Sequence, residues 1–231
     1  MDMSDPASVS KYALIAAMPR EVASLVRNWR RVRRDHDSRP FVFYEFESNV
    51  LVCGGIGPAA ARRAAVAAIS IYHPRQLVSV GFAGALDPAL AIGDILCPQI
   101  VINAADGSRI QSAGGQGTLV SFSSVAGAAQ KASLGRAFQA QAVDMEASAV
   151  ALAATAGGLA FSAVKAISDE LDFEMPLMAR YIDSSGQFQT GRFALAAALR
   201  PWLWNRLRIL AANSGKASKA LCDHVQRQLA S

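Results

Sequence analysis

Acidic side chains embedded in apolar sequence constrain this chain more than any other feature. Glu146 stands in the segment Val143-Asp144-Met145-Glu146-Ala147-Ser148-Ala149, and Asp169 follows the run Ala163-Val164-Lys165-Ala166-Ile167-Ser168. Asp and Glu are rarely buried unless paired, so acids in such a setting need a partner. Ala147, Ala149, Val150, Ala151 and Leu152 predict a buried helix after Glu146, and residues 161–167 predict a buried strand before Asp169. An acid opening a helix and an acid at the C-terminal end of a strand suit a ligand site in an open α/β sheet.

The rest of the pattern agrees. Residues 12–17 read as a buried strand. Pro19 can begin a helix that carries Glu21 in its first turn and runs to about Arg34. Residues 41–46 and 50–53 read as an antiparallel strand pair around a Glu47-Ser48-Asn49 turn. An Ala-rich helix over 59–72 is stopped by Pro74. A strand over 77–80 ends in the glycine turn Gly81-Phe82-Ala83-Gly84. A β-like run over 94–102, a flexible loop over 104–117, a strand over 119–122, a helix over 126–138 and a strand over 140–143 lead to Met145 and Glu146. This alternation predicts a single α/β domain over residues 11–231, three layers deep, with a mixed, largely parallel central sheet flanked by helices. Residues 1–10 are expected to form a disordered or loosely attached tail, and 192–231 a helical region.

Composition narrows the class. The 231 residues are 52% hydrophobic and 18% charged, which describes a globular chain with a large core. No apolar run reaches the roughly 18 residues of a membrane span, and the first ten residues lack the pattern of a signal peptide. Cys53, Cys97 and Cys222 are widely spaced in apolar contexts, as small buried hydrophobes in a reducing cytosol would be. No metal-ligand spacing exists, and neither metal nor cofactor is expected. The net charge of +5 is uneven. Arg27, Arg30, Arg31, Arg33, Arg34 and Arg39 crowd one segment, and Arg200, Arg206, Arg208, Lys216 and Lys219 another. A solvated helix face is one account of these groups; attraction to a phosphate-bearing surface is the alternative. Without a nucleic-acid motif or an aromatic platform, a membrane surface ranks above nucleic acid.

Five segments, in order, resemble the purine nucleoside phosphorylase / methylthioadenosine–adenosylhomocysteine nucleosidase superfamily. They are ALIAAMPRE from Ala13 to Glu21; Cys53-Gly54-Gly55-Ile56-Gly57; Gly81-Phe82-Ala83-Gly84-Ala85-Leu86 with Ile92-Gly93-Asp94-Ile95; Met145-Glu146; and Ser168-Asp169. Together they span roughly residues 11–175. The resemblance implies a purine nucleoside as substrate, cleaved at its N-glycosidic bond, and a homo-oligomer, with a dimer favoured. It also implies roles. Asp169 protonates the departing purine, beside Ser168. Glu146 grips the ribose hydroxyls, Met145 packs on the sugar, and Glu21 orients the attacking water. Gly55, Ile56, Phe82, Ala83, Gly84 and Val125 line the substrate pocket.

The chemistry suits those residue types. The transition state is cationic at the sugar and leaves negative charge on the base, so a proton donor, a sugar clamp and a nucleophile are all needed. A carboxyl shielded by Ile167 and Leu171 suits proton donation. A buried carboxylate suits a pair of hydroxyls. Two alternatives stay open. Phosphate could replace water as nucleophile, held by Arg20, the Gly81–Gly84 turn and Arg62. The chain could also be a non-catalytic nucleoside-binding or membrane-associated module, although a binder has less need of three intact acids.

The departures from the family pattern carry information too. The stretch from Asp94 to Met145 is short, Val125 takes the place of a base-stacking Phe, Phe82 that of a small polar residue, and Lys165 that of an Arg. These changes predict weaker stacking and a wider or more apolar 5′ side. The C-terminal segment holds Trp202, Trp204, Arg206 and Arg208 among aliphatic residues, which suits either a core-covering helix or a membrane interface. Together these features resemble the hopanoid-associated branch, which is credited with removing adenine from adenosylhopane. The expected location is the cytoplasm, with peripheral contact at the inner membrane surface.

Overall fold

The computed structural model describes residues 11–173, 204–230 and, between them, Tyr181, Gly186 and Gln189. β1 (Tyr12–Ala16) lies at the centre of the sheet, parallel to both β4 (Asn49–Cys53) and β5 (Gln76–Ala85). The strand order is β2 (Arg30–His36), β3 (Arg39–Phe46), β4, β1, β5, β10 (Ala142–Asp144), β9 (Thr118–Ser121), β7 (Ile100–Asn103), β8 (Arg109–Gln111). β11 (Ala160–Asp169) pairs with β5 and with the short β6 (Ile95–Leu96). The pairs β1–β4, β1–β5, β5–β11, β9–β10 and β7–β9 are parallel and the rest antiparallel, so the mixed, largely parallel sheet is as expected.

Alternate residues of β1 face two apolar layers. Ala13 and Ile15 pack toward α2 (Pro58–Tyr72) and α4 (Ala147–Ala156), whose alanines Ala61, Ala64, Ala65, Ala68, Ala151 and Ala154 are buried in the same cluster. Leu14 and Ala16 face the opposite layer, with Ala217, Leu221, Cys222 and Val225 of α5 (Trp204–Leu229). Small side chains let α2 and α4 lie close against the sheet at little entropic cost. α3 (Ala128–Phe138) packs Leu134 against Val120 and Val143 in a third cluster. The helical expectation for 192–203 lies outside the described residues, as does the expectation for residues 1–10.

The path of β5 creates the site. β11 occupies one edge of β5 from Gln76 to Gly84. On the other edge β1 pairs with Gln76–Ser79, and β10 pairs only with Gly84 and Ala85. Residues 80–83 therefore lie in the gap between the end of β1 and the start of β10. Such a divergence at strand ends is where open α/β sheets form ligand clefts. The expected glycine turn at 81–84 is in fact strand, because β11 and then β10 supply its pairing partners. Its glycines serve close approach instead. A Cβ on Gly81 would lie 3.2 Å from Glu21 Oε2, and one on Gly84 would lie 2.7 Å from Asp169 Oδ2.

The arginine-rich segment also departs from the sequence reading. α1 (Pro19–Val22) is only one turn long, a 3₁₀ turn follows over Val26–Asn28, and the chain then enters β2. β2 and β3 form an antiparallel hairpin, turning at Asp37 and Ser38 with φ of 49° and 60°. Arg30, Arg31, Arg33 and Arg34 are thus on an edge strand, where charge discourages pairing with another chain. Part of the expected loop at 104–117 pairs as β8 against β7.

Candidate active site

Each of the three acids is held by the end of an element around this gap. Glu21, in α1, turns back so that Oε2 accepts the backbone N–H groups of Ala17 and Met18, each at 3.1 Å. Both of these bonds fall on one oxygen. Glu21 is 3% exposed, and burial pushes its carboxyl above the usual range against the pull of the Met18 N–H and the Lys165 and Arg20 charges. Its own carbonyl accepts the Ser218 hydroxyl at 3.0 Å, tying α1 to α5.

Glu146 is the N-cap residue of α4. Its Oε1 accepts the N–H of Gly57 at 2.7 Å, from the turn before α2. Burial, and then the negative charge of Asp144, push its carboxyl up to about 8. Asp144 itself is a structural hub. Its Oδ2 accepts the N–H of Ala147 at 2.8 Å and lies 2.8 Å from Lys165 Nζ, and its Oδ1 accepts the Ser121 hydroxyl at 2.6 Å. Lys165 is 1% exposed and also donates to Ser79 Oγ at 3.0 Å. Burial acts to lower Lys165, but Asp144 and then Glu146 outweigh it and hold the ammonium above its ordinary value. One buried lysine thus balances part of the charge of three acids, Asp144, Glu146 and Glu21.

Asp169 ends β11 and is 5% exposed. Its Oδ1 accepts the Ser168 hydroxyl at 2.7 Å, and its Oδ2 accepts from Lys131 Nζ. Lys131, on α3, is 1% exposed and donates at 2.5 Å to the Glu170 carbonyl as well.

The three acids line one cleft of about 860 Å³, mouth included. Met145, Ser168, Ile56, Phe82, Ala83, Gly84, Val125 and Arg20 line it too, so most of the residues singled out from the sequence meet there. Two do not. Arg62 is exposed on α2 and is not among the lining residues, because α2 turns that position outward. Gly55 is a turn residue, with φ of 104° and its N–H bonded to the Ala17 carbonyl at 3.0 Å, and it does not reach the cleft wall. Lys131, Asp144, Ala126, Leu210 and Ser214 also line the cleft, and none was assigned there from sequence. For Asp144 a signal existed, since it shares the apolar run of Glu146. Leu210 and Ser214 place the first half of α5 along one wall.

Comparison with known proteins agrees with this architecture. Residues 11–124 match the family model described as phosphorylase superfamily. Over 99 residues the chain is 30% identical to a 5′-methylthioadenosine/S-adenosylhomocysteine nucleosidase of Marinomonas sp. (strain MWYL1). That match spans 41% of this chain and 42% of the relative, less than half of either. Among solved structures, a methylthioadenosine/adenosylhomocysteine nucleosidase from Colwellia psychrerythraea 34H, in complex with adenine, superposes with a TM-score of 0.63 at 21% identity, covering 71% of this chain and 85% of that one. Futalosine hydrolase of Helicobacter pylori strain 26695 superposes with a TM-score of 0.66 at 17% identity, covering 95% and 98%. At these identities the two structures establish the shared fold. The family's sequence signature thus covers residues 11–124, just under half of the chain, and the solved structures share its fold across most of its length.

Proposed function

We propose that this protein hydrolyses the N-glycosidic bond of a 5′-substituted adenosine and releases adenine. The observation that carries the proposal is the convergence of Glu21, Glu146 and Asp169, far apart in sequence, on one cleft at the end of β1. Asp169, with Ser168, would meet the purine and supply its proton. Glu146 would accept the ribose hydroxyls while Gly57 steadies its other side, and Met145 would pack on the sugar. Glu21 would hold the attacking water, as a base that burial has made receptive to a proton. The adenine bound to the Colwellia nucleosidase and the nucleosidase activity named for the Marinomonas relative support the choice of base and bond.

The 5′ group is the finer part of the proposal. The cleft wall holds Phe82, Val125, Leu210 and Ile56, which favours an apolar substituent, in line with an adenosylhopane-like lipid nucleoside or a methylthio group. No helix among the described residues is long and apolar enough to cross a membrane. Peripheral contact is supported by Trp204, Arg206 and Arg208, exposed on the first turns of the helix that borders the cleft; Trp202 lies outside the described residues. Cytoplasmic location and a homodimer complete the reading.

A phosphate-dependent reaction is the second reading, and one observation favours it: Arg20 lines the same cleft as Ala83 and Gly84. A single assay separates the two. Adenine release is measured from adenosine, methylthioadenosine, adenosylhomocysteine and a lipid-tailed nucleoside, with and without phosphate. Turnover without phosphate is expected, fastest on an apolar 5′ group. A strict phosphate requirement would make the protein a phosphorylase, and tight nucleoside binding with no turnover would make it a binding module.

A further inference from the structure

An ammonium that is 1% exposed needs a reason to be where it is, because burial of a charged lysine is costly without partners. Lys131 has two partners, both at the purine end of the cleft. Its Nζ donates to Asp169 Oδ2 and, at 2.5 Å, to the Glu170 carbonyl. The backbone is shaped around this pair: a Cβ on Gly84 would lie 2.7 Å from Asp169 Oδ2 and 3.0 Å from Lys131 Cε. The pair also lines the cleft, so it does not merely fill the core.

This arrangement changes the proton bookkeeping at the leaving group. Asp169 receives a donor on each oxygen, from Ser168 on Oδ1 and from Lys131 on Oδ2. Both oxygens of Asp169 are thus engaged by donors from the protein before any base arrives. The nearest ammonium proton belongs to Lys131. Ser168 Oγ has a second acceptor, the Ala83 carbonyl at 3.4 Å, so its hydroxyl can turn away and free Oδ1 for the base.

Resting on the nucleosidase reading above, we propose that Lys131 is a positioning residue that stores the leaving-group proton, so that the general acid is the Lys131–Asp169 pair and not Asp169 alone. When the C1′–N bond breaks, its electron pair goes to the purine. The purine takes a proton from Asp169, and Asp169 takes one from Lys131 Nζ. Lys131 is left neutral until solvent at the cleft mouth returns the proton that Glu21 has taken from the attacking water. The sum is one water consumed, one neutral purine and one free sugar.

The test compares two leaving groups in the full-length protein. Adenosine must shed a protonated purine, whereas 4-nitrophenyl β-D-riboside sheds an anion that is stable without a proton. Lys131→Met is expected to lower kcat on adenosine by about 10²–10³-fold, with KM within a few-fold, and to leave kcat on the nitrophenyl riboside within about 3-fold. Lys131→Gln, which keeps an N–H donor but stores no proton, is expected to show the same selective loss. Lys131→Arg, which keeps the positive charge but does not release a proton, is expected to show the same selective loss, and wild-type turnover of adenosine by it would show that charge alone suffices and overturn the proposal. Equal losses on both substrates in the Met and Gln variants, or a Gln variant with wild-type turnover of adenosine, would overturn the proposal. A wild-type protein that cleaves the nitrophenyl riboside but no purine nucleoside would overturn the nucleosidase reading and this inference with it. A Met variant that does not fold leaves the Gln and Arg variants to decide.

Discussion

The carboxyl of Glu146 is pushed up to about 8 by burial and by Asp144, whereas in the unfolded chain it titrates near 4.5. A raised carboxyl stabilises the native state only while protonated, fully below the unfolded value, and that stability is lost as the pH rises toward 8. The Tm of Glu146→Gln, which mimics the protonated form, is therefore expected to gain on wild type steadily from pH 5 to pH 8 and to level off above. Thermal unfolding of both proteins across that range checks this; a gap that does not change with pH would mean the carboxylate is fully charged in the native site. Glu21 is raised in both proteins, so its effect largely cancels in the difference. At this scale the sequence was informative where an acid interrupted an apolar run. Glu21, Glu146 and Asp169 betray themselves because burial demands a partner. Lys131 gives no such sign. In Ala-Ala-Gln-Lys-Ala-Ser it reads as an ordinary exposed helix lysine, and only Asp169, 38 residues away, makes it a buried one.

Among the elements, α5 does two jobs with one stripe. Leu210 and Ser214 line the cleft, and Ala217, Leu221 and Val225 continue at helical spacing into the sheet packing. Its first turns also leave Trp204 53% and Ile209 43% exposed, and Arg206 and Arg208 are exposed in the same stretch. That mixture suits an interface with anionic headgroups. Sedimentation with anionic vesicles at low salt is expected for the wild type and to be largely lost in Trp204→Ala/Arg206→Ala/Arg208→Ala; equal sedimentation of the two would remove α5 from any membrane contact. The β2–β3 hairpin shows where element reading fails. Residues 30–36 carry four arginines, and dense charge hides the alternation of a strand, so the segment passes for a solvated helix. The pairing of Arg30 with Glu45 and of Tyr72 with Glu45 at 2.6 Å is tertiary, and no local signal announces it.

For the molecule as a whole, the three-layer plan was legible because short apolar runs alternate with alanine-rich helices, and each helix can bury only against a sheet. The branching of β5 between β1 and β10 was not legible. It depends on which strand takes the far edge, a choice made by pairings such as Val143 with Gly84. Yet that branching opens the cleft and brings the acids together. The account therefore stands or falls on whether the cleft breaks a glycosidic bond through Asp169. The decisive measurement is kcat/KM for adenine release from methylthioadenosine by wild type and by Asp169→Asn, in phosphate-free buffer. If Asp169 delivers the leaving-group proton, a loss of about 10²–10⁴-fold is expected in the variant. Wild-type turnover in Asp169→Asn would contradict the account.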